Sequence, residues 1–153
     1  METKTNPNPA EGTLTALVCV DEPHLQKSVV DQLTGEFKVF TGLFVEDISL
    51  KFRAQQFDVI IIFENFNGTD IEANQVLAEA KNLPAPQRRR QYFVLLGPNM
   101  ITNNELQAFE HSVDMVFCVS DLANFRPVLR RGIARHKEFY AIFNETLKMA
   151  GAA

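Results

Sequence analysis

From Leu14 onward the chain alternates short apolar runs with longer segments whose apolar residues recur at every third or fourth position. The runs at 14–20 (LTALVCV), 37–44 (FKVFTGLF), 58–63 (DVIIIF), 92–97 (YFVLLG) and 115–119 (MVFCV) are rich in β-branched and aromatic residues and predict five strands. The segments at 24–33, 47–57, 70–83 and 103–112, and a longer one from about 121 to 148, carry the helical period. The order is therefore strand then helix, five times over. VIIIF and FVLLG show no polar alternation, and a strand of that composition has to be covered on both faces, which parallel βα units achieve with helices on each side. The pattern predicts an α/β fold with a doubly wound five-stranded parallel sheet and an extended C-terminal helix.

Residues 1–12 are polar, with two prolines, and offer too little apolar surface to offset the entropy of ordering; they read as a flexible N-terminal tail before a domain at 13–149. The last helix is longer than closing such a fold requires. Its stripe runs Leu122, Phe125, Leu129, Ile133, His136, Tyr140, Phe143 and Leu147. Beyond about Arg135 the domain offers little surface, so Phe139, Tyr140, Ile142, Phe143 and Leu147 are expected to need cover, from their own domain if the tail folds back, from a protein partner or from a second copy. Arg126, Arg130, Arg131, Arg135 and Lys137 add a positive face suited to an acidic partner, and Gly132 is expected to allow a bend.

Composition narrows this further. At 153 residues and 46% hydrophobic content the chain suits one domain with one core. A net charge of −4 argues against nucleic acid as a partner, and no apolar run approaches the ~20 residues of a membrane span or the form of a signal peptide. With Cys19 and Cys118 reading as free thiols in strands, a cytoplasmic setting is expected. His24, His111 and His136 are dispersed, which predicts no metal site, and no phosphate-binding glycine loop or nucleophile elbow predicts a cofactor or hydrolase chemistry. The basic run at 87–91 reads as a solvated loop.

The segment ALVCVDEPHLQKSVVDQL resembles the opening of bacterial response-regulator receiver domains, and the likeness continues through Phe57-Asp58-Val59-Ile60-Ile61-Ile62, Asn67-Gly68-Thr69-Asp70, Asp114-Met115-Val116 and Asp121-Leu122. The resemblance covers residues 14 to about 135 and implies a flavodoxin-like, receiver-like domain of two-component signal transduction. Receivers carry a nucleophilic carboxylate at the end of the third strand, beside a bound divalent ion. Matched without gaps, that position is Phe63, whose ring has no lone pair for phosphorus. Glu64 follows, but one step along a strand turns a side chain to the other face. The acidic pair that holds the metal is matched by Val20 and Asp21, with Glu22 next. The hydroxyl residue of strand four is matched by Gly97, and the lysine of strand five by Cys118. The resemblance thus implies a degenerate member, a pseudo-receiver with no catalysis, no metal and no cofactor, whose Asp21 and Glu22 serve to cap the first helix. The expected function is phosphorylation-independent signalling by protein–protein contact through Arg126, Arg130, Phe139, Tyr140, Phe143 and Leu147, with homodimerisation through the last helix. The alternative is a small-molecule sensor that uses the emptied pocket.

Overall fold

The computed structural model describes residues 13–151; the expected tail at 1–12 lies outside the described residues. Five strands, β1 (Leu14–Cys19), β2 (Phe37–Thr41), β3 (Val59–Phe63), β4 (Tyr92–Gly97) and β5 (Met115–Cys118), form one parallel sheet in the order β2-β1-β3-β4-β5. The helices are α1 (Pro23–Leu33), α2 (Val45–Ala54), α3 (Gln75–Lys81), α4 (Ala85–Arg89), α5 (Glu105–His111) and α6 (Phe125–Met149).

The continuous apolar strands are explained by two cores, one on each face. Leu17, Ile60, Ile62, Phe93, Leu95 and Val116 meet Ile48 and Phe52 of α2, Leu77 of α3 and Ala108 of α5. The alternate positions, Val18, Ile61, Val94, Leu96 and Phe117 among them, meet Val29 and Leu33 of α1 and Phe125, Leu129 and Ile133 of α6. Successive side chains of a strand point to opposite faces, so an unbroken apolar run feeds both cores. Each fully buried Leu, Ile or Phe contributes about 1.5–3 kcal/mol relative to exposure.

Besides shifts at helix ends, with α2 closing at Ala54 and a 3-10 turn at Val119–Asn124 before α6, the elements depart from the sequence pattern in four places. β2 stops at Thr41, not 44: its last pairing is Val18 with Thr41, and Leu43 and Phe44 are exposed on the approach to α2. The helix expected over 70–83 is split, with a short 3-10 turn at Ile71–Ala73 and then α3, because Asn74 caps α3 by accepting the Leu77 N–H. The basic run is no solvated loop. Pro84 and Pro86 fix a helical entry, α4 forms, and the Arg88 guanidinium lies 4.4 Å from the centre of the Phe93 ring. Finally, α6 is one unbroken helix through Gly132, which serves close packing: a Cβ there would lie 2.3 Å from Tyr92 Oη and 2.7 Å from Met115 Cε. The buried residues of α6 end at Ile133, so its second half leaves the core behind.

Candidate functional site

In a doubly wound sheet the crevice lies beyond the carboxyl ends of the strands, and the register brings the candidate residues together there. Cys19 pairs with Ile62, Phe63 with Leu96 and Gly97 with Cys118, so Val20, Phe63, Gly97 and Cys118 sit along one edge of the sheet. Val20 is buried and Phe63 half-buried, both on the side of α1 and α6. The two acidic side chains at the β1 end are occupied by backbone. Glu22 caps α1, its carboxylate accepting the N–H groups of His24 (3.1 Å) and Leu25 (2.7 Å). Asp21 does not cap that helix, contrary to expectation; it accepts the Asn67 N–H at 2.8 Å and anchors the turn after β3. Among the described residues no group of three or more His, Cys, Asp or Glu could hold a metal ion.

Glu64 has a place that sequence alone does not give it. Its side chain is 3% exposed, turned to the face opposite Phe63, and lies over Gly97: a Cβ on Gly97 would fall 1.9 Å from Glu64 Oε1. Its two oxygens accept the backbone N–H of Asn99 (2.9 Å) and its side-chain Nδ2 (3.1 Å). Asn99 in turn accepts Gln107 Nε2 through its carbonyl, and Gln107 Oε1 accepts the Ile101 N–H at 2.7 Å. The end of β3 is thereby tied through the β4–α5 loop to α5. Over Gly97, one of the residues of the pocket that the resemblance implies, the carboxyl takes the space a side chain would use. Asn74, buried beside it, donates Nδ2 to the carbonyls of Phe63 and Glu64. Sequence reading missed Asn74 and Asn99; an Asn just ahead of the apolar run of α3 was the available cap signal for the first.

Cys118 Sγ lies 3.1 Å from Ser120 Oγ, and its N–H is received by Thr102 Oγ1, which donates to Asp121. Cys19 is buried in the core on the side of α2, α3 and α5, where burial first and the Asp47 charge second push its thiol pKa well up, away from reactivity.

The residues picked on α6 divide into two groups. Arg126 donates Nε to the Gln32 carbonyl, and Arg130 pairs with Glu36 at 2.9 Å, so both arginines bind the α1–β2 corner of their own chain. The hydrogen bond from Arg130 holds the Glu36 carboxyl below its usual range. Further along, Tyr140 is half-buried among His136, Phe139 and Phe143 in edge-on contacts, Leu147 is half-buried, and Phe139 is exposed. The Arg89 guanidinium stands 5.5 Å over the Phe143 ring. Between α4 and α6 opens a cleft of about 550 Å³ whose walls include Leu83, Arg88, Arg89, Phe139 and Phe143.

At the head of that cleft Asp114 accepts the Phe93 N–H (2.8 Å), with His136 Nε2 3.9 Å from its other oxygen and lacking a hydrogen-bond partner among the described residues. Burial pushes the Asp114 carboxyl up, against the Phe93 N–H and the nearby His136 and Arg88. Burial pushes the His136 imidazole down, with Asp114 opposing and Arg88 assisting. Tyr92, in edge-on contact with His136, is pushed up to about 12 by burial and then by the Asp114 charge.

The fold is that of solved response-regulator receiver domains. The structure matches a Francisella response-regulator receiver domain with TM-score 0.62 and 12% identity, over 80% of this chain and 98% of that one. A CheY-like receiver domain from Methanospirillum hungatei matches with TM-score 0.63 and 10% identity over 82% and 98%. A Burkholderia pseudomallei response regulator, solved with a phosphorylated aspartic acid, calcium ion and citrate, matches with TM-score 0.60 and 12% identity over 92% and 87%. No family model and no curated protein matches the sequence. At these identities the likeness is one of fold. No helix among the described residues is long and apolar enough to cross a membrane.

Proposed function

We propose that this chain is a phosphorylation-independent, receiver-like signalling module that performs no catalysis and acts by protein–protein contact, using α6 and its neighbours, including self-association. One observation carries the reading: the nucleophile position at the end of β3 holds the Phe63 ring, while the adjacent Glu64 carboxyl is turned to the other face and held by Asn99. A phosphoryl acceptor needs an accessible anionic oxygen in line with the donor and beside a metal ion. Phe63 supplies no oxygen, and both oxygens of Glu64 are engaged by Asn99 beside Gly97. Asp21 and Glu22 are likewise committed to backbone N–H groups, which leaves no set of oxygens poised for Mg²⁺. The partner is a protein, not nucleic acid or a membrane, in keeping with a net charge of −4, and the setting is cytoplasmic. With Arg126 and Arg130 engaged in the chain, the basic residues free to meet an acidic partner are Arg131, Arg135 and Lys137, all exposed.

Incubation with acetyl phosphate and Mg²⁺ followed by intact-mass measurement tests the reading. The expected spectrum shows no added phosphoryl group; stoichiometric incorporation overturns it.

A further inference from the structure

Phe139, Ile142 and Met149 are 62%, 65% and 83% exposed. They fall on one stripe of α6, at 139, 142, 146 and 149, in alternating steps of three and four, which is the spacing of a two-helix seam. The fourth member, Thr146, has its hydroxyl already satisfied by the Ile142 carbonyl at 3.0 Å, so burying it leaves no polar group unpaired. Arg135, the next position of the stripe toward the helix start, lines the groove between α5 and β5.

The flanking charges select the occupant and its direction. Glu138 and Glu145, on one flank, are exposed and make no hydrogen bond or ion pair among the described residues. Phe143, on the other flank, carries Arg89 over its ring. When two such helices run parallel, the flank residue at 138 of one crosses to the flank residue at 143 of the other, which sets each Glu138 beside the other copy's Arg89, twice by symmetry. An antiparallel pairing would set Glu138 against Glu145 of the other copy, a like-charge contact.

We infer that the exposed half of α6 is the seam of a parallel homodimer, in which Phe139, Ile142, Thr146 and Met149 pair with their counterparts and Glu138 of each copy bridges to Arg89 of the other. The inference deepens the contact-module reading and fails separately from it: phosphoryl incorporation would remove that reading and leave this dimer standing.

Sedimentation of the full chain across the micromolar range tests the inference. The expected result is a dimer that Ile142→Glu, at a position exposed in the single chain, weakens by about 100-fold or more. Glu138→Arg weakens it about tenfold, and adding Arg89→Glu restores most of the loss. Orientation is read from Met149→Cys in a Cys118→Ser background: parallel helices bring the two introduced thiols together, and oxidation links the copies covalently. A monomer throughout, a dimer indifferent to Ile142→Glu, or a dimer whose introduced thiols do not link and whose Glu138→Arg loss is not rescued overturns the inference.

Discussion

Two adjacent residues at the end of β3 are sent to opposite faces of the sheet. Phe63 joins the apolar face shared with α1 and α6, and Glu64, one step on, lies beside Gly97. Gly97 and Glu64 are mutually dependent, since a methyl group on one occupies the space of the other. Gly97→Ala is expected to displace the carboxyl and cost about 2–4 kcal/mol, through overpacking and the lost bonds to Asn99. Glu64→Ala is expected to cost a similar amount, because the Asn99 N–H is left without its acceptor. The double variant should be more stable than the sum of the two losses implies, by about 1–2 kcal/mol, as chemical denaturation of the four proteins would reveal. Strict additivity would mean that the two side chains do not share one space.

At the scale of elements, α6 shows intrinsic propensity opposed by packing. Replacing a glycine inside a helix by alanine ordinarily gains ~1 kcal/mol. At Gly132 the added methyl would strike Tyr92 Oη and Met115 Cε, the first on a rigid ring, and overpacking of this kind costs about 1–3 kcal/mol. Gly132→Ala is therefore expected to lower the thermal midpoint, with Tyr92→Phe in the same background recovering part of the loss. A rise in the midpoint for the single variant would show that the ring gives way freely. The same contact accounts for the unbroken helix, since Gly132 lets α6 approach β4 and β5 closely. α4 illustrates the complementary case: a run of arginines reads as solvated until the rings of Phe93 and Phe143 are placed under two of them.

At the scale of the whole molecule, His136 of α6 meets Asp114 at the entry of β5, with Arg88 of α4 nearby. His136 has a folded pKa depressed below its ordinary 6.5, chiefly by burial, so the unfolded chain takes up the proton more readily. Its contribution to stability is present above pH 6.5 and is lost as pH falls through that value toward the folded pKa. Asp114 has a raised folded pKa, and its contribution has the opposite sign: it is present at low pH and is lost as pH rises from 3.8 through the folded value. His136→Gln removes the imidazole effect and, with it, one of the influences that oppose the upward push on Asp114, so the carboxyl stays raised. Denaturant midpoints measured from neutral pH downward are expected to fall more steeply below about pH 6.5 for the parent than for His136→Gln; parallel curves would show that the imidazole does not titrate in this environment.

Much of this molecule was legible in the chain. The strand–helix alternation, both-face burial of VIIIF and FVLLG and the uncovered half of the last helix follow from local pattern, because periodicity and residue type are local properties; the reading of Phe63 as the place of a lost carboxylate rests on the family resemblance instead. Asn74, Asn99 and the destination of Glu64 were not legible, nor was the packing of the basic run. Glu64 finds its hydrogen-bond donor 35 residues further on and its space over a glycine of another strand. Arg126 and Arg130, expected to face a partner, are held by groups more than ninety residues earlier. The sequence by itself determined which segments become strands and helices, and that a phenyl ring and not a carboxylate stands at position 63. Only the tertiary structure decided where the remaining charges went, because a charged side chain is settled by whichever donors, rings and voids other elements bring to it.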